Sequence, residues 1–382
     1  MTGTLLTEDQ TALVETTLDF AQDHLAPHAV RWDREKHFPV DVLRKAAGLG
    51  LGGVYVREEC GGSGLSRADG ALIFEALASG CPSVAGYLSI HNMVAWMIDR
   101  YGDAEQRERW LPRLCAMEDL GSYCLTEPGA GSDAAALRTR AVRDGDGHVL
   151  TGVKQFISGA GASQVYVVMA RTGGDGPRGI SAFLVDRDDP GLSFGENETK
   201  MGWNAQPTRQ VILDQVRVPA GRMLGGEGQG FGIAMNGLNG GRLGIAACSL
   251  GGARSAVHSA MAYLADREAF GSRLLDAQGL RFELADMETE LTAARALVHQ
   301  AARALDRGDA RAAQQCAMAK RFATDTGYSV ADRALQLHGG YGYLTEYGIE
   351  KIVRDLRVHR ILEGSNEIMR HIVARGMTEA FR

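Results

Sequence analysis

Apolar positions along the chain change period twice. From Thr7 to about Gly121 the repeat is helical: Val14, Leu18, Ala21 and Leu25 fall at steps of three and four, the spacing that lines one helix face. Thr7 with Gln10 three residues later has the form of a capping box, and Pro27 is expected to end that helix. Residues 94–100 and 104–114 repeat the pattern. Between about Ser122 and Gly225 the chain turns to short β-branched and aromatic runs, HVLTGV, VYVVMA, ISAFLV and RQVILDQVRV, separated by Gly, Asp and Pro. No long helical segment intervenes, so an antiparallel barrel or sandwich is expected in place of βαβ units.

After LGGEGQGFG (224–232) long helices return. Leu284, Met287, Leu291, Ala294, Val298 and Ala301 form one seam; Cys316, Ala319, Ala323, Gly327, Val330, Ala334 and Leu337 form another. The short LDRGDA link makes them antiparallel neighbours. The expected fold is therefore α+β and multidomain: an N-terminal helical domain (1–121), a middle β domain (122–228) and a C-terminal helical bundle (229–382). No internal repeat or low-complexity tract is present.

Composition narrows the function. The 382 residues are 45% hydrophobic and 23% charged with a net charge of -6, which gives no broad basic field for nucleic acid or anionic lipid. No apolar run approaches membrane-spanning length. The six cysteines are scattered without a C-x-x-C pair and read as reduced thiols. The N-terminal MTGTLLTEDQ has no signal-peptide pattern, so a cytoplasmic location is expected.

Chemistry-bearing patterns are few. YCLTEPGAGSD (123–133) joins the helical and β stretches, and its glycines and short polar side chains suit a flavin edge or pyrophosphate as well as an ordinary polar loop. GAGAS at Gly159 and GEGQGFG at Gly226 miss the third glycine of a dinucleotide fingerprint, and no P-loop occurs. LHGGYGY (337–343) has the glycines of a helix C-cap. His24 and His28 are four apart, but Pro27 lies between them and no carboxylate or thiolate cluster joins them, so no metal site is expected. No G-x-S-x-G elbow points to hydrolase chemistry. Glu363, in ILEGSNEIMR, is flanked by Ile361 and Leu362. An apolar setting would raise its pKa toward that of a general base, but position alone favours a helix-dipole role for this residue, as for Glu367.

Taken together, YCLTEPGAGSD, KQFISGAG, DREAFGSRL, LQLHGGYGY and ILEGSNEIMR, in this order, resemble the acyl-CoA dehydrogenase family over nearly the whole chain. SIHNMVAWMIDRYG, FISGAG, GWNAQPTRQV and GLNGGR are similar to the members that act on isobutyryl-CoA, with Phe156 and Ser158 where many relatives carry Trp and Thr. The resemblance implies three domains ending in a four-helix bundle, and FAD-dependent α,β-dehydrogenation of a short branched acyl-CoA, with isobutyryl-CoA giving methacrylyl-CoA. Dehydrogenation of 2-methylbutyryl-CoA or butyryl-CoA, an oxidase, and a non-catalytic flavin or acyl-CoA binder are the other readings.

Carried over onto this chain, the resemblance makes Glu363 the catalytic base, since Gly241, before Arg242, cannot serve. FAD contacts fall on Tyr123, Cys124, Leu125, Thr126, Glu127, Pro128, Gly129, Ala130, Gly131 and Ser132, and on Phe156, Ile157 and Ser158. Ser365, Asn366 and Glu367 follow the base along the cofactor. Arg267, Ala277, Gln278, Gln336, Leu337, His338, Gly339 and Gly340 would approach the FAD of an adjacent subunit. Substrate contacts fall on Ser132, Asn239, Gly240, Gly241, Arg242 and Arg375. Implied partners are electron-transfer flavoprotein and further copies of the chain in a homotetramer built as a dimer of dimers, with no nucleic acid and no membrane.

Overall fold

The computed structural model describes residues 6–379 and 381; residues 1–5 of the stretch weighed for a targeting signal lie outside them. Six helices come first: α1 (Glu8–Phe20), α2 (Ala29–Glu35), α3 (Val40–Ala47), α4 (Arg67–Gly80), α5 (Pro82–Tyr101) and α6 (Ala104–Cys115). The Thr7–Gln10 capping box forms. Pro27 does not end the helical path: residues 21–25 widen into a π turn, a 3-10 turn carries the proline, and α2 continues. The wider turn accommodates a ring with no N–H to offer. The paired histidines pack on aromatic rings, His24 on Phe20 and His28 on Trp32, with centroids 5.0 and 5.3 Å apart.

Helix α4 and the first part of α5, before residue 94, show weak periodicity in the sequence because both helices are buried nearly all round. A helix enclosed on every side has no polar stripe to reveal it.

Eight strands follow, β1 (Gly121–Cys124), β2 (Arg140–Asp144), β3 (Gly147–Ser158), β4 (Val165–Arg171), β5 (Ile180–Asp186), β6 (Leu192–Phe194), β7 (Thr208–Val218) and β8 (Met223–Leu224). They run β6-β7-β3-β2-β4-β5-β8 across one sheet, with β1 on β4. The ladders are antiparallel except where β1 and the first residue of β2 pair parallel with β4, so the sheet is mixed. The register of β3 against β7 slips between Lys154 and Ile157, and Phe156 in that slip has φ 59°. The bulge turns its ring outward, 64% exposed.

The last third is helical: α7 (Gly230–Asp266), α8 (Gln278–Asp306), α9 (Ala312–Leu337), α10 (Ile349–His359) and α11 (Asn366–Glu379), with a two-stranded hairpin (β9 Glu268–Ala269, β10 Ser272–Arg273) after α7. The two expected seams pack, with Met287, Leu291, Ala294, Val298 and Ala301 facing a core shared with Cys316, Ala319, Ala323, Val330 and Ala334. Gly327 lets α9 close onto the Ser249 backbone of α7. No helix among the described residues is long and apolar enough to cross a membrane.

Candidate active site

The site grows from the long helix α7. Gly237, Gly240, Gly241 and Gly244 stand at steps of three, one and three, on a single face. A Cβ on any of them would strike a neighbour: Met97, the Arg67 guanidinium, the Glu363 carboxylate and Ser89 respectively. The glycines thus let α4, α5 and the turn after α10 approach closely. At Gly241 the built Cβ would stand 2.7 Å from the Glu363 carboxyl carbon, so the missing side chain is what makes room for the carboxylate.

Glu363 itself lies in the turn between α10 and α11. It has φ 55° and Gly364 has φ 94°, a left-handed pair that costs a non-glycine residue about 1–2 kcal/mol. Arg242 Nε donates to the Glu363 carbonyl at 3.2 Å, Lys320 Nζ to the Gly364 carbonyl at 2.8 Å, and the Asn366 N–H to the Arg360 carbonyl at 3.0 Å. Both carboxylate oxygens are sealed from solvent and accept no hydrogen bond among the described residues. Burial pushes this carboxyl up to about 7, against the pull of Arg242 and Lys320. The Glu363 N–H also has no backbone acceptor among the described residues. A half-ionised carboxylate with no protein partner and a spare N–H beside it can take a proton and support the charge this leaves behind.

The loop that follows β1 divides its residues between scaffold and surface. Cys124 faces the β core, where burial pushes its thiol up to about 12. Leu125 and Ala130 are buried. The Thr126 carbonyl accepts from the Gln155 N–H at 2.8 Å. Glu127 is turned inward: its carboxylate accepts from Lys154 Nζ (2.8 Å), the Thr139 N–H (2.9 Å) and the Arg138 N–H (2.6 Å). That leaves Pro128, Gly129, Gly131 and Ser132 exposed, and a Cβ on Gly129 or Gly131 would meet nothing within 4 Å. The N–H groups of Gly129, Gly131 and Ser132 have no backbone acceptor among the described residues.

Tyr123, at the foot of the loop, has a buried hydroxyl without a partner, and burial and then the Glu363 charge raise its pKa. That coupling links the loop to Glu363. In the neighbouring bulge Ile157 is buried and the Ser158 carbonyl accepts from Ser122 Oγ at 2.7 Å, while Phe156 stays open. Free backbone donors beside an exposed ring suit a flat ligand with a polar tail.

The rest of the expected residues divide into two groups. Asn239 Oδ1 accepts from Arg242 Nη1 at 3.0 Å, and Arg242 also holds the Glu363 carbonyl. Asn366 is turned inward onto Lys320, Thr324 and Asp325, Ser365 leads into α11, Glu367 pairs with Arg370, and Arg375 is exposed on α11. The second group lies elsewhere. Arg267 follows α7, its guanidinium 5.8 Å from the ring of Tyr341; Ala277 and Gln278 stand at the start of α8, Gln336 and Leu337 end α9, and Gly339 and Gly340 open the turn that carries Tyr341. His338 among them is buried, stacked on Tyr263 at 4.9 Å and bonded to Ser259 and the Ala334 carbonyl. At 1.5 Å per residue, Arg267 stands about 39 Å along α7 from Gly241. One chain therefore carries two separate parts of the expected site.

Sequence reasoning missed Lys320 and Arg67. Lys320, fully buried, was signalled by a lysine four residues after Cys316 on a small-residue seam. Arg67, clamped between the Tyr55 and Trp96 rings at 3.8 and 4.5 Å, left no sequence signal, because the clamp joins residues that only the fold brings together.

Family profiles match the chain in three consecutive stretches: Acyl-CoA dehydrogenase, N-terminal domain, at residues 7–118; middle domain, at 122–216; and C-terminal domain, at 228–378. Among curated proteins, a mitochondrial isobutyryl-CoA dehydrogenase from Bos taurus is 53% identical over 98% of this chain and 90% of its own length. One from Dictyostelium discoideum is 54% identical over the same shares. Among solved structures, butyryl-CoA dehydrogenase from Megasphaera elsdenii superposes with a TM-score of 0.95 at 36% identity, over 98% of this chain and 100% of that one.

Proposed function

The chain belongs to the acyl-CoA dehydrogenase family, and from that premise we propose that it dehydrogenates a short branched acyl-CoA, isobutyryl-CoA to methacrylyl-CoA, with Glu363 as the base. The observation that carries the reading is the Glu363 carboxylate, sealed, unpartnered and laid across Gly241. The family implies FAD, and the exposed Phe156 and the open N–H groups at Gly129, Gly131 and Ser132 fit it. When bound, FAD accepts the β-hydrogen with its electron pair. The chain's own part is the proton. Glu363 removes it from the α-carbon, and the Glu363 N–H faces the thioester oxygen that gathers charge. A pKa near 7 keeps the base ionised often enough to act and basic enough to accept.

The partners and assembly follow as parts of the same proposal. Electrons leave to electron-transfer flavoprotein. Arg267 and residues 336–340 complete the FAD site of an adjacent subunit, which the 39 Å separation along α7 supports, and the chain forms a homotetramer. Fully exposed Phe270, with Phe282 and Tyr343 also exposed, offers apolar surface for such contacts. Six unpaired thiols fit a reducing compartment. We place the protein in the cytoplasm, though the two relatives above are named mitochondrial.

Anaerobic titration of the FAD-loaded protein with isobutyryl-, 2-methylbutyryl-, isovaleryl- and butyryl-CoA, followed by flavin absorbance, tests the reading. Fastest bleaching by isobutyryl-CoA is expected. Faster bleaching by another thioester would reassign the substrate, and none by any of the four would remove the proposed activity.

A further inference from the structure

A base that must meet one hydrogen of its substrate needs a fixed backbone, and the left-handed pair Glu363–Gly364 persists only if its surroundings over-determine it. Two buried cations do this. Arg242 holds the Glu363 carbonyl, and Lys320 holds the next one, Gly364. Lys320 Nζ also donates to Asn366 Oδ1 at 3.0 Å, so one ammonium ties the turn to the first residue of α11. Asn366 Nδ2 in turn donates to Asp325 Oδ1 (2.9 Å) and Thr324 Oγ1 (3.0 Å), both on α9. A buried ammonium costs several kcal/mol, and its seam neighbours Cys316, Ala319 and Ala323 are small and uncharged. Packing alone does not call for a lysine there.

We propose that Lys320 is a positioning residue for the reaction, locking the turn through the Gly364 carbonyl and Asn366 so that the Glu363 carboxylate stays aimed across Gly241. This rests on Glu363 being the base. Its charge acts on the same carboxylate. The titratable groups that face that carboxylate are Arg242 and Cys248 on α7, Tyr123 on β1 and Lys320 on α9; Lys320 in turn faces Asp325 on α9, His359 on α10 and Glu367 on α11, and Arg242 faces Cys316. Of these, Arg242 and Lys320 are the cations that oppose the upward push of burial on Glu363. Burial brings Lys320 itself down to about 8, which leaves it mostly charged at pH 7.

The test is the pH dependence of kcat/KM in Lys320→Met and Lys320→Gln, with melting temperature measured alongside. Methionine is expected to lower kcat/KM at pH 7 by about 100-fold, the scale of a small misplacement of a reacting group. Both variants are expected to move the rise of log kcat/KM upward by about one pH unit, because removing a nearby cation raises a carboxylate pKa. Glutamine keeps a donor and decides the matter should the methionine chain not fold. A rise at the wild-type pH, whatever the melting temperature, would overturn the proposal. Glu363→Gln run in parallel separates the two readings. Wild-type turnover in that variant would sink the base itself, whereas an inactive Glu363→Gln beside Lys320 variants whose rise stays at the wild-type pH would sink only Lys320.

Discussion

Two glutamates in this molecule bury their carboxylates in opposite surroundings. Glu127 has every need met: a lysine, two backbone N–H groups and a place in the loop scaffold. Burial works to raise its pKa, but the Lys154 charge and these hydrogen bonds outweigh it and leave the carboxyl below its ordinary value. Glu363 has burial without hydrogen bonds, and its carboxyl rises to about 7. The difference separates a carboxylate that holds a fold from one whose raised pKa suits it to take a proton. A satisfied charge is fixed in place, and an unsatisfied one stores reactivity at the expense of stability.

Breaking each side should fail differently. Glu363→Gln is expected to lower kcat/KM by about 1,000- to 10,000-fold, the range of a lost general base, while the protein still folds and holds its flavin; steady-state kinetics and the flavin spectrum read both. Lys154→Met strands Glu127 without its cation, and a loss of about 3–5 kcal/mol is expected. Denaturant unfolding would show it, and an unchanged midpoint would mean that the pair is not the scaffold.

The smallest effect sharpens the comparison through pH. Because the folded pKa of Glu363 is raised, its contribution is fully present below about 4.5 and is lost as pH rises through about 7. Glu363→Gln removes that loss, so above pH 7 the variant should be the more stable by about 1–3 kcal/mol, less whatever Arg242 and Lys320 forfeit. Glu127 has the reverse sign: its depressed pKa gives stability above its ordinary value that disappears on acidification. Melting temperatures of the wild type and Glu363→Gln between pH 5 and 8 should therefore diverge with rising pH, and parallel curves would contradict the raised pKa.

The helical seams of α8 and α9 were legible because each faces a core on one side and solvent on the other, so period and burial coincide. Helix α4 and the part of α5 before residue 94 were poorly legible for the opposite reason. Motif resemblance pointed to Glu363 and the loop after β1, yet it could not tell that Glu127, Asn366 and His338 spend their side chains inside the chain. Hydrogen-bond partners 27 or 46 residues away leave no local pattern.

By itself, the sequence determined the order of helical and β stretches, the capping box at Thr7, the reduced cysteines and the candidate standing of Glu363, all carried by neighbours within a few residues. Tertiary structure alone decided that Gly241 yields its space to a carboxylate, that Lys320 and Arg242 clamp the turn, and that burial brings Glu363 to about 7. Desolvation and close approach depend on what the whole fold brings near, and no stretch of chain contains that.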